Sequence, residues 1–145
     1  MSVKQRFEFL EHTADVYIVA YGKDLPEAFE NAAAATFEVM TDIERVEPEI
    51  EDEVEVEAED EYALLYSWIE ALLVKAEINQ MLYSKFRVLS IDKTAAGYKL
   101  KAKIWGEKFN PDKHIQKVGV KAVTYHRMEI IKKPNEIQVK FILDI

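Results

Sequence analysis

Near the start of the chain stands Glu11-His12-Thr13-Ala14-Asp15, two carboxylates, an imidazole and a hydroxyl within five residues. Apolar runs flank it on both sides (Phe7, Phe9 and Leu10, then residues 16–21) and both read as strand. A polar knot between strands belongs at a sheet end, where such side chains reach solvent or an ion. At the other terminus, Phe141-Ile142-Leu143-Asp144-Ile145 reads as a strand running to the last residue. That puts the Asp144 carboxylate and the α-carboxylate of Ile145 close together on ordered backbone, where they repel unless a cation lies between them. With Asp15 they would supply three hard oxygen groups suited to Ca²⁺, Mg²⁺ or Mn²⁺, with water completing the shell. Taken alone, Asp15 is also an ordinary turn residue and the terminus an ordinary acidic tail, and nothing in the residue order brings 15 to 144.

A third group is Lys121-Ala122-Val123-Thr124-Tyr125-His126, on a predicted strand. Alternation puts Lys121, Val123 and Tyr125 on one face and Ala122, Thr124 and His126 on the other. A lysine and a histidine can bind phosphate or shuttle a proton, whereas the plainer reading is a strand with a buried, satisfied imidazole. The chain has no phosphate-cradling glycine loop, HExxH, CxxC or GxSxG. With no cysteine, disulfides and thiolate metal sites are excluded.

These groups need elements to hold them. Asp24-Leu25-Pro26-Glu27 carries a helix-start signature, with a capping acid, a first-turn proline and a capping-box glutamate. Leu25, Ala28, Phe29, Ala32, Ala33, Thr36, Phe37 and Met40 then follow at helical spacing, and the alanines at 32–35 permit close approach to a sheet. A second helix is predicted over 60–82, opened by acids and burying Leu64, Leu65, Trp68, Ile69, Leu72, Leu73 and Ala76. Strands are predicted at 6–11, 15–22, 53–58, 85–92, 97–106, 119–131 and 136–143. Glu53, Glu55 and Glu57 alternate with Val54, Val56 and Ala58, and Lys99, Lys101 and Lys103 alternate with Leu100, Ala102 and Ile104. Two half-buried strands lying side by side would pair these acids and lysines across one solvated face. Residues 107–118 form a basic, irregular crossover. The order ββαβαββββ gives an α+β fold, a single two-layer domain over 1–145 with two helices on a mostly antiparallel sheet.

The chain has 145 residues, 49% of them hydrophobic, and a net charge of −8. That suits one domain and argues against strong direct nucleic-acid binding, which calls for basic excess. No apolar run approaches the roughly 20 residues of a membrane span, and the N-terminus lacks a signal-peptide core, so a soluble, cytoplasmic protein is expected.

Taken together, the HTAD knot, the alanine-rich helix with Glu27-Ala28-Phe29, the Leu64-Leu65-x-x-Trp68 helix, Lys121-Ala122-Val123-Thr124-Tyr125-His126 and the Leu143-Asp144-Ile145 end closely resemble the archease family, in the right order over essentially the whole chain. The resemblance implies an accessory protein rather than an enzyme. Archeases assist the RtcB-type RNA ligase of tRNA splicing, promoting guanylylation of its histidine and multiple turnover. Family members are also linked to tRNA methyltransferases, as chaperone-like modulators. Carried over by position, Asp15, Asp144 and the Ile145 carboxylate would form the divalent-cation site, with Ca²⁺ expected in a crystal. His12 and Lys121 match family motif positions, and His126 ends one of these motifs.

Overall fold

A computed structural model describes residues 5–10 and 15–145. The run after the polar knot forms β2 (Val16–Gly22), hydrogen-bonded between β1 (Phe7–Leu10) and β7 (Glu136–Asp144). Its central place explains why both of its faces are apolar: Tyr17, Ile18, Val19 and Ala20 are all buried. On the far side of β7 lies β6 (Ala122–Lys133), completing a four-stranded antiparallel sheet ordered β1-β2-β7-β6. A second antiparallel sheet holds β3 (Ile50–Ala58), β5 (Gly97–Lys108) and β4 (Met81–Thr94), in that order.

Helix α1 (Leu25–Met40) begins as its sequence signature predicts. The Asp24 carboxylate accepts from the Glu27 amide at 3.0 Å, and the Glu27 carboxylate reaches back to the Lys23 amide at 2.9 Å. Residues Ala32, Ala33, Ala34 and Ala35 are fully buried, so the helix backbone packs close against its neighbours. Gly22 permits the tight turn into it, since a Cβ there would lie 2.3 Å from the Ala28 nitrogen. Helix α2 (Glu61–Asn79) is capped by Asp60, which accepts from the Ala63 amide at 2.7 Å. It buries Leu64, Leu65, Trp68, Ile69 and Leu72, while Leu73 and Ala76 are half-buried. The predicted end at 82 is corrected to Asn79. Gln80 caps the helix in the left-handed region (φ 52°), and Met81 already pairs with Lys108. The apolar pattern runs on through Met81 and Leu82, and no glycine or proline marks the stop.

Helix α1 packs on β2 and β7 of the first sheet and on β4 of the second; α2 packs on β3, β4 and β5 of the second and on β6 of the first. The helices are thus the tie between the sheets, and the buried residues form one continuous core. The indole of Trp68 donates to the Phe29 carbonyl at 2.9 Å, locking α2 to α1.

The acidic and basic rows meet as expected: Glu53 faces Lys103, Glu55 faces Lys101 and Glu57 faces Lys99. The shortest ion pair is nevertheless diagonal, from Lys99 Nζ to Glu55 at 2.6 Å, with Glu57 at 3.9 Å. A register shift in β4 between Val88 and Ser90 puts Leu89 outside the ladder, and it is 52% exposed. Among the described residues no helix is long and apolar enough to cross a membrane.

Candidate functional site

Three strands end together at one corner of the four-stranded sheet. Leu143, buried, is flanked by Val16 on β2 and Val123 on β6. One residue further, Asp144 faces Ala122, and its carbonyl accepts from the Lys121 amide at 2.8 Å. Asp15 directly precedes Val16, so the β2–β7 register continued by one residue sets Asp15 against Asp144. Strand alternation then puts both carboxylates on the face opposite Val16 and Leu143. Asp144 and Lys121 are exposed, and Asp15 and Ile145 are half-buried. The antiparallel pairing of the last strand with the second therefore joins positions at opposite ends of the chain.

His12, with Glu11, Thr13 and Ala14, lies outside the described residues. Among the described residues no three His, Cys, Asp or Glu side chains are arranged to hold a metal ion. The corner offers two side-chain carboxylates, a hard-oxygen pair that fits Ca²⁺, Mg²⁺ or Mn²⁺ in kind. A third protein ligand of the expected set would be the Ile145 α-carboxylate, which is not a side chain.

The lysine and histidine of the 121–126 motif are parted. β6 begins at Ala122 instead of 119, with Lys121 just before it at the corner. Between the pairs Thr124–Ile142 and Glu129–Lys140, four residues of β6 oppose the single residue Phe141. This wide bulge interrupts the alternation after Thr124. His126 sits on the bulge and is exposed, which corrects the reading of a buried, satisfied imidazole. Tyr125 stacks on Tyr66 of α2, with ring centroids 4.4 Å apart. Arg127 takes a left-handed backbone (φ 58°) and lays its guanidinium 5.5 Å from the centre of the Tyr17 ring. No turn residue in TYHRM announces the bulge, so simple alternation misses it.

The crossover from 109 to 121 is pinned at both ends. Phe109 donates its amide to the Gln80 carbonyl, and the Lys117 and Val118 amides donate to the free carbonyls of Met40 and Val39 at the end of α1. Between them His114 is buried, its Nδ1 accepting from the Asn110 amide at 2.9 Å and its Nε2 lying 2.9 Å from Glu107. With Nδ1 accepting, the neutral ring carries its proton on Nε2 and donates to Glu107. Burial alone would push the Glu107 carboxyl up. Hydrogen bonds from Lys113, the Glu47 amide and His114 outweigh it and hold the group at about 2. A folded pKa below the unfolded one stabilises the protein above the ordinary carboxylate range, and that contribution is lost as pH falls toward 2. Glu107→Gln is expected to destabilise the chain by roughly 2 kcal/mol near neutral pH, with the difference shrinking as acid is added. Urea unfolding of both forms across that range checks this, and a difference independent of pH would show that the charge is not what matters.

Beside the crossover runs a groove of about 780 Å³, between the C-terminal half of α2 and residues 115–123. Val74, Ile115 and Val118 on its walls are 47%, 45% and 42% exposed. Lys121, Ala122 and Val123, next to the carboxylate corner, also line it.

The Archease protein family (MTH1598/TM1083) matches residues 7–145. The chain is 52% identical over 141 residues to "Protein archease" of Sulfurisphaera tokodaii, covering 97% of this chain and 99% of that one. It is 50% identical over 131 residues to "Protein archease" of Pyrococcus abyssi, covering 90% and 92%. The solution structure of Methanobacterium thermoautotrophicum Protein 1598 superposes with a TM-score of 0.85 at 44% identity, over 97% of this chain and 99% of that one. The Thermotoga maritima protein described as "an archease, possible chaperone" shares the fold, with a TM-score of 0.61 at 16% identity over 100% and 99%. The corner motifs, the order of the elements and these matches agree, and the chain belongs to the archease family.

Proposed function

We propose that this chain is an accessory protein of tRNA splicing. It activates an RtcB-type RNA ligase by promoting guanylylation and multiple turnover, through a divalent cation held by Asp15, Asp144 and the Ile145 carboxylate. The observation that carries this reading is the strand-end corner, where Asp15, Asp144 and Lys121 adjoin at the ends of three neighbouring strands. When bound, the cation would supply a Lewis acid for phosphate oxygens. The chain's own part is to hold carboxylates at the tip of a sheet whose buried core keeps the strand ends in register. Lys121 adds a positive side chain at the same edge, suited to an anionic group of the partner. The net charge of −8 favours encounter with a basic ligase surface over direct contact with RNA.

The test is ligation with a limiting amount of the RNA ligase from the same source, excess GTP, Mn²⁺ and a broken RNA. Many turnovers are expected with this chain and few without it. Equal turnover with and without it would sink the activator reading.

A second reading, a chaperone-like modulator of a tRNA methyltransferase, draws on the exposed apolar groove walls and on the description of the Thermotoga relative. It predicts altered solubility or site choice of the methyltransferase, independent of Asp15 and Asp144.

A further inference from the structure

We propose that the groove between α2 and the 115–123 crossover is the surface on which the partner ligase docks, through an apolar helix bearing basic residues. The inference rests on the activator reading above and says where the partner is held.

The groove is open and apolar. Its α2 wall is the stripe Glu70, Leu73, Val74 and Glu77, at the three-to-four spacing of one helix face. One turn beyond Val74, Ile78 is 75% exposed. The opposite wall carries Ile115 and Val118 and is held in place by the bonds to Met40 and Val39 and by the His114–Glu107 lock. A preformed groove between a helix and a pinned segment, with apolar side chains left in water, is the geometry that receives an amphipathic helix.

Charge selects the occupant. Glu70 and Glu77 are exposed and, among the described residues, take part in no ion pair, whereas Lys117 on the opposite wall is paired with Glu38 at 3.6 Å. The two acids lie two helical turns apart, about 10.5 Å along the axis. A docked helix with Lys or Arg seven residues apart, beside its apolar stripe, would meet both acids while filling the groove. A second copy of this chain presents the same two acids on its own α2, so packing α2 against α2 across a two-fold axis would set like charges together. Position agrees with the role. Lys121 lines the groove and its amide donates to the Asp144 carbonyl, so a partner seated there would lie beside the carboxylates.

Binding of the full chain to the RNA ligase from the same source, read as Kd, tests the proposal, with ligation turnover by the wild type read in parallel. Val74→Glu and Val118→Glu are each expected to weaken binding by about tenfold or more, as a charge placed in an apolar contact does. The pair Glu70→Lys with Glu77→Lys should weaken it and reduce its dependence on salt. Leu89→Glu, an equally exposed apolar residue on β4 outside the groove, should bind as the wild type does. Unchanged thermal unfolding shows that each variant folds. If Val74→Glu and Val118→Glu both bind normally while the wild type activates, the docking site is overturned and the activator reading stands. If the wild type neither binds nor activates, both fail. Sedimentation showing a wild-type dimer that Val74→Glu abolishes would make the occupant a second copy and overturn the proposal.

Discussion

Asp144→Ala is expected to remove activation of the ligase while leaving the fold intact. The structural tie at this residue is its backbone carbonyl, which accepts from the Lys121 amide, and alanine keeps that carbonyl. The side chain is exposed, so its removal should change stability by no more than about 0.5 kcal/mol. What is lost is one of two side-chain carboxylates at the corner, and with it at least roughly tenfold in affinity for a divalent cation. Calorimetric titration with Ca²⁺ or Mn²⁺ and counted ligation turnovers measure the two effects separately. Extending the chain by one glycine beyond Ile145 should weaken cation binding too, because it moves the α-carboxylate away. A variant lacking Asp144 that activates as the wild type does would exclude the carboxylates from the mechanism.

Trp68→Ala should have the largest effect on stability. Trp68 is fully buried, touches the core from α2 and donates its indole N–H to the Phe29 carbonyl of α1. Truncation leaves a cavity at the joint between the helices that tie the two sheets, a loss of about 3–5 kcal/mol. For a chain of this length the midpoint of thermal unfolding should fall by on the order of 10 °C. Trp68→Phe keeps most of the volume and loses the hydrogen bond, so it should cost much less. Equal losses from the two variants would mean that the hydrogen bond, not the packing, carries the contribution. Because each helix touches both sheets, the strand-end corner depends on this joint without touching it.

The elements were legible because their cues are local. Asp24 and Glu27 mark the start of α1, Asp60 that of α2, and the Glu and Lys rows announce two half-buried strands whose pairing follows from charge and alternation. The cues failed where no residue type signals the event. Gln80 ends α2 in a conformation usually left to glycine, inside an apolar run that continues into β4. The bulge at 125–128 parts His126 from Lys121 with no glycine or proline to announce it. Residue types named Asp15, Asp144 and Lys121 as candidates, and the family resemblance followed from motifs whose order is itself sequence. Their meeting at one corner was a tertiary decision. It depends on β7 pairing between β2 and β6, a register set by burial of Leu143 and Val123, with Val16 packed against the core, and not by the polar residues it brings together. The partition of the described strands into two sheets, and the groove between α2 and the crossover, are likewise consequences of packing across the whole chain, because hydrophobic burial has no direction until every face has found its neighbour.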